Sequence, residues 1–145
     1  MTAFPRRAFV AALLLPAALA ALPAARAQAG GKPNKLVMQV TDADPAKWSL
    51  VLGNAYNVQT ELGADMVEAE IVVYGPALAM ITKGSPVADR VASAIKNGVR
   101  VVACENTMLA QHLGRSDMLP DLAYVQAGVV EIMQKQQQGW AYVRP

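Results

Sequence analysis

The sequence predicts an α/β domain built on a mostly parallel sheet of about five strands with helices on both faces. Three observations predict it. Short apolar runs of strand length recur along the chain, at residues 35–40, 67–74, 99–103, 123–125 and 140–143. Between them lie segments of helix length bracketed by start and stop signals such as Asp44-Pro45, Ser85-Pro86, Asn97-Gly98 and Gly139. Strands that alternate with helices in this way pair in parallel, because each connection must cross over the sheet and lay its helix on a face.

The elements follow in order. Residues 28–34 are a polar, glycine-rich lead, and the run 35–40 is apolar enough to lie inside a sheet. Asp44 as N-cap and Pro45 at the first helical position open a helix over 45–62. On it Trp48, Val51, Leu52, Ala55, Val58 and Leu62 recur at helical spacing and make one face, and Gly63 closes it. The second strand ends at Gly75-Pro76, and 77–82 is short enough for a single apolar helical turn. Ser85-Pro86 repeats the cap-then-proline signal ahead of a helix that turns Val87, Val91, Ala94 and Ile95 inward and stops at Asn97-Gly98. After the third strand comes a helix capped by Asn106 or Thr107 that reaches Gln111 or Leu113 before Gly114. A turn-rich stretch over 116–121 leads to the fourth strand, a helix over 129–138 and the fifth strand.

The first 27 residues stand apart from this domain, which occupies 35–145. Arg6 and Arg7 form a positive start, 8–22 is apolar, and Ala25-Arg26-Ala27 fits the small-x-small rule for cleavage before Gln28. This reads as an export signal, with a periplasmic or secreted mature protein and no membrane span after cleavage. Arg6-Arg7 followed by Ala8-Phe9-Val10 resembles the twin-arginine pattern in part, with Pro5 and Ala11 departing from it, so both export routes stay open. Removing Arg6, Arg7 and Arg26 turns the formal charge from +2 to −1. No Lys/Arg cluster survives in the mature chain, which argues against a nucleic-acid partner.

Cys104 is the only cysteine, so an internal disulfide is impossible. The run 99–103 delivers it to a strand-to-helix junction. In a parallel sheet all such junctions emerge at one edge, so Cys104 shares its edge with Asp42, Tyr74, Gly75 and Gly128 and is followed by Glu105, Asn106 and Thr107. Ligands bind at that edge in open α/β sheets, and free N–H groups at a helix start favour a thiolate. Glu105 works the other way, since a carboxylate beside a thiol raises its pKa unless it points elsewhere. The competing reading is a buried cysteine that only fills space.

Other chemistries find little support. There is no Gly-rich phosphate loop, no nucleophile elbow and no metal-ligand spacing of Cys and His, so neither a cofactor nor a metal is expected. His112 is eight residues beyond Cys104 and could approach it, but a lone helical histidine is more often surface or core. The methionines are dispersed and read as core filling, and Gln134 and Gln136 to Gln138 as a solvated or interface face.

The stretches Val102-Ala103-Cys104-Glu105-Asn106-Thr107-Met108, the Leu119-Pro120 turn, Tyr124-Val125-Gln126-Ala127-Gly128-Val129-Val130-Glu131-Ile132, and Gln136-Gln137-Gln138-Gly139-Trp140-Ala141-Tyr142, with Tyr74-Gly75-Pro76, resemble those of the DsrE/DsrF-like family. The resemblance implies a three-layer α/β/α fold, homo- or hetero-oligomers and, as in sulfur-relay members, a cysteine that carries persulfide sulfur; only Cys104 can take that role here. The chain departs from relay members in its export signal and in the Glu105 beside the thiol. The expected function is binding or relay of sulfane sulfur through a Cys104 persulfide, at most a sulfur carrier or transferase with a donor or acceptor protein as partner. Two alternatives stand beside it: an oligomeric small-ligand-binding module whose pocket Cys104 lines, and a thiol redox sensor.

Overall fold

Five strands, β1 (Asn34–Val40), β2 (Val67–Val73), β3 (Arg100–Cys104), β4 (Ala123–Val125) and β5 (Ala141–Val143), form one sheet in the order β4-β3-β2-β1-β5. Every neighbouring pair is parallel. The computed structural model describes residues 31–145; the expected export segment at 1–27 and residues 28–30 of the lead lie outside the described residues. Four α-helices, α1 (Pro45–Leu62), α2 (Ala88–Lys96), α3 (Glu105–Ala110) and α4 (Gly128–Gln137), cover the sheet on its two faces, which gives the three-layer α/β/α fold.

The layers are unequal. On one face α1, α2, α3 and a 3-10 segment (Gly75–Ile81) pack a large core around Met38, Ile71, Leu78, Met80 and Ile81, all fully buried. On the other face α4 stands alone among the described residues, and the apolar cluster beneath it is small: Val37, Val72, Val102, Ile132 and Trp140. The alternation of strand side chains explains the split, since Ile71 and Val73 point to the first face and Val72 to the second.

The element boundaries differ from the sequence expectations in a few informative places. Asn34, expected in the lead, begins β1, and its side-chain amide donates to the Met66 carbonyl at 3.0 Å. On α1, Trp48, Val51, Leu52 and Ala55 are buried as expected, but Leu62 is half exposed, lining an open groove shared with Pro33 and Val67. Gln59 is buried on that stripe instead, its amide donating to the Asn97 carbonyl at 2.9 Å. Ser85 caps a tight turn ahead of α2 in place of the helix itself: its Oγ accepts from the Val87 N–H, and its carbonyl from Ala88.

The third helix shows the largest departure. Cys104 itself is its N-cap residue, two or three positions earlier than expected, and the helix ends at Ala110 with His112 in the left-handed region at φ 55. The Leu113 N–H bonds the Met108 carbonyl at 2.9 Å and the His112 N–H the Leu109 carbonyl at 3.1 Å, the pattern of a helix terminus usually completed by glycine. Histidine tolerates that backbone better than most residues. His112 is therefore a helix-end residue.

Candidate functional site

Cys104 ends β3 with its side chain toward the α4 face, where it is paired in register with Val125 and is 5% exposed. Two strand-to-helix turns supply the groups that make its thiol more acidic: from its own turn the Thr107 hydroxyl and the Asn106 and Thr107 N–H groups, and from the turn after β4 the N–H of Gly128. The turn after β2 takes part indirectly: the Gly75 N–H donates to Thr107 Oγ1 at 3.1 Å, so this hydroxyl already accepts a bond and keeps its proton for the sulfur. Gly75 occupies φ 59 to make that approach, and its carbonyl accepts from the Gln111 side chain at 3.0 Å.

These groups set the acidity of the thiol. Burial is the largest single influence and pushes the thiol up. The Thr107 hydroxyl, then the N–H groups of Gly128, Thr107 and Asn106, act against it and together prevail, so the Cys104 pKa lies below its ordinary value. The Asn106 N–H is shared, since it also donates to the Gln126 carbonyl at 3.1 Å. The same carbonyl lies 3.7 Å from the sulfur and can accept the thiol proton. Gln126 returns the contact by donating its side-chain amide to Asn106 Oδ1, which ties the two turns together.

Gly128 is in place for a steric reason. A Cβ there would stand 2.9 Å from Tyr74 Cδ1 and 3.1 Å from Val72 Cγ1, so only glycine lets the start of α4 sit this close to the end of β2. Tyr74 is half buried against it, and burial foremost, with Tyr142 and Cys104 adding to it, pushes its phenol up.

The residues expected at this edge thus divide. Tyr74, Gly75, Asn106, Thr107 and Gly128 gather around Cys104. Glu105 does not: its carboxylate turns away to pair with Arg115 at 2.7 Å and is not among the groups that move the thiol. Asp42 is also elsewhere. It follows β1, with β2 between it and β3, and is held by Lys47 at 3.1 Å and Arg144 at 3.7 Å, while its carbonyl accepts the Trp48 indole N–H at 2.7 Å. The Lys47 ammonium holds its carboxyl below the usual carboxylate range. His112 is not among the groups bonded to the sulfur. Three contributors escape a reading of the sequence. Gln126 is detectable there only as a polar residue in the turn after β4. Tyr142 and Arg144 join the edge only because β5 pairs with β1, which the sequence does not reveal.

Among the described residues no group of three or more His, Cys, Asp or Glu side chains could hold a metal ion, and no helix is long and apolar enough to cross a membrane.

No family model matches the chain, and no curated protein sequence does. Solved structures do. A protein of unknown function from Methanobacterium thermoautotrophicum, MTH1491, is 29% identical with a TM-score of 0.74, the match covering 77% of this chain and 99% of that one. A conserved protein of unknown function from Bacteroides thetaiotaomicron, BT1422, is 12% identical with a TM-score of 0.65, covering 77% and 95%. The ychN protein of E. coli is 14% identical with a TM-score of 0.63, covering 77% and 99%. The chain shares the fold of all three across nearly their whole length.

Proposed function

We propose that this is an exported DsrE/DsrF-like protein that binds or relays sulfane sulfur through a persulfide on Cys104. One feature carries the reading: a hydroxyl and three backbone N–H groups from two adjacent turns hold the pKa of a single buried thiol, at the carboxyl edge of a parallel sheet, below its ordinary value. A thiol that only filled space would have no use for donors that favour its anion. The fold shared with MTH1491 and the ychN protein, and the resemblance of the 102–108 and 124–142 stretches, support the family.

The chemistry is two thiolate exchanges. The Cys104 thiolate attacks the outer sulfur of a donor persulfide, forms a new S–S bond, and expels the donor thiolate. An acceptor thiolate then attacks the outer sulfur on Cys104, leaves as the new persulfide, and regenerates the Cys104 thiolate. No net oxidation occurs, and the donors around the sulfur hold the anion before and after each transfer. The test is incubation of the native protein with a polysulfide: the reading expects the mass of one added sulfur on wild type, removed by reductant, and none on Cys104→Ser.

The low exposure of Cys104 favours a second reading, a binding module in which the thiol lines a pocket without reacting. Alkylation of Cys104 only under denaturing conditions would select it. We further propose a homo-oligomer, which would cover the exposed Leu109, Val129, Val130 and Met133.

A further inference from the structure

The one buried carboxylate of the sheet, Glu70, lies at the other end of α4 from the thiol. It is 0% exposed in β2, and its Oε1 has no hydrogen-bond partner, so its placement needs a reason. Its other oxygen takes Arg100 of β3 and Lys135 of α4, the latter at 3.0 Å. Glu131 of α4 joins the cluster, 3.2 Å from Arg100 and 3.7 Å from Lys135, and the Lys135 ammonium also lies 4.1 Å from the centre of the Trp140 ring. From β1 the neighbour in register is the apolar Val37.

The cluster and the thiol are linked through two rigid elements. From Gly128 to Lys135, α4 rises roughly 10 Å at 1.5 Å per residue. From Tyr74, just past the end of β2, back to Glu70 the extended chain spans roughly 13 Å at 3.3 Å per residue. Gly128 packs on Tyr74 and Val72, and Lys135 pairs with Glu70, so helix and strand are fastened at both ends of one overlap. Between these two ends α4 buries one further residue, Ile132, which packs in the small cluster with Val37, Val72 and Val102. Slippage of α4 along the sheet would carry the Gly128 N–H off the sulfur.

We infer that Glu70 is a positioning residue for Cys104: through Lys135 and Arg100 it clamps the far end of α4 on β2 and so holds the Gly128 N–H at the sulfur. The inference rests on the thiolate reading of Cys104 and adds a remote control over it. It is tested with Glu70→Gln and Lys135→Gln, which open the clamp from strand and helix. Arg90→Gln is the control, since it removes a tether to the Ser49 carbonyl on the opposite face. Two readouts are taken on folded protein: the Gly128 amide resonance, and the pH profile of Cys104 alkylation. Both clamp variants should move the Gly128 resonance and raise the alkylation midpoint by up to about one pH unit, up to about tenfold slower alkylation at neutral pH; Arg90→Gln should do neither. A Gly128 resonance unmoved in both clamp variants overturns the inference, and so does an unshifted midpoint when the wild-type midpoint lies below that of free cysteine. A wild-type midpoint that is not lowered sinks the thiolate reading instead, and the Gly128 amide alone then decides the clamp. Should Glu70→Gln fail to fold, Lys135→Gln decides both readouts.

Discussion

Replacing Gly128 with alanine is the most local way to disturb the proposed site. The new methyl would meet Tyr74 Cδ1 at 2.9 Å, Val72 Cγ1 at 3.1 Å and Tyr74 Cβ at 3.3 Å. Carbon atoms rest about 3.5–4.0 Å apart, so roughly 0.6 Å or more must be found somewhere. Val72 is fully buried in the central strand and cannot yield, which leaves the start of α4 to lift. Overpacking of this kind costs about 1–3 kcal/mol, and the helix preference of alanine over glycine returns at most about 1 kcal/mol. The net expectation is a loss of about 1–2 kcal/mol in urea unfolding. At the sulfur the lifted N–H weakens one bond to an anion, worth about 1.5–3 kcal/mol when whole. Partial loss should raise the Cys104 alkylation midpoint by about 0.5–1 pH unit. Gly128→Ala with wild-type stability and a wild-type alkylation profile would refute the close packing and the role of this N–H together.

The remaining predictions concern the same thiol and the whole chain. Thr107→Val removes a hydroxyl from the sulfur and strands the Gly75 N–H, so it should raise the alkylation midpoint, whereas Thr107→Ser should restore it; equal midpoints for the two variants would remove Thr107 from the site. Because the Cys104 pKa is lowered by folding, the stability it contributes is present above the unfolded thiol value of about 8.5 and is lost as pH falls through the folded value. The urea midpoint of wild type relative to Cys104→Ser should therefore rise with pH across the neutral to alkaline range, and a flat difference would contradict a thiol made more acidic by folding. N-terminal sequencing of the secreted fraction should begin at Gln28 within a residue or two, while a cytoplasmic protein starting at Met1 would exclude export. Light scattering should give a multiple of the chain mass at micromolar concentration, and a monomer would exclude the homo-oligomer.

Much of the fold is legible in the sequence because local signals and tertiary structure agree. Asp44-Pro45 and Gly63 bracket α1 with no error at either end, as the Asp44 side chain accepts from the Ala46 N–H at 2.8 Å and Pro45 needs no donor. What escapes is whatever depends on partners distant in sequence. Asn106 and Thr107 are good caps by residue type, yet α3 begins at Glu105 with Cys104 as an N-cap residue that makes no side-chain cap bond, while the Thr107 hydroxyl accepts from Gly75. Glu70 reads as one polar residue in a strand; its burial depends on Arg100 and Lys135, thirty and sixty-five positions further on. Asp42 is legible as a residue of the right edge but not as one lying two strands from the thiol, since strand order leaves no mark in local pattern.

The central claim is that Cys104 accepts sulfur as a thiolate, and intact mass of the native protein tests it most directly. After brief exposure to a polysulfide at neutral pH, wild type should gain the mass of one sulfur and lose it to reductant, while folded Cys104→Ser gains nothing. Wild type that takes up no sulfur, and whose thiol alkylates only in denaturant, would show a structural cysteine and leave the binding module as the function.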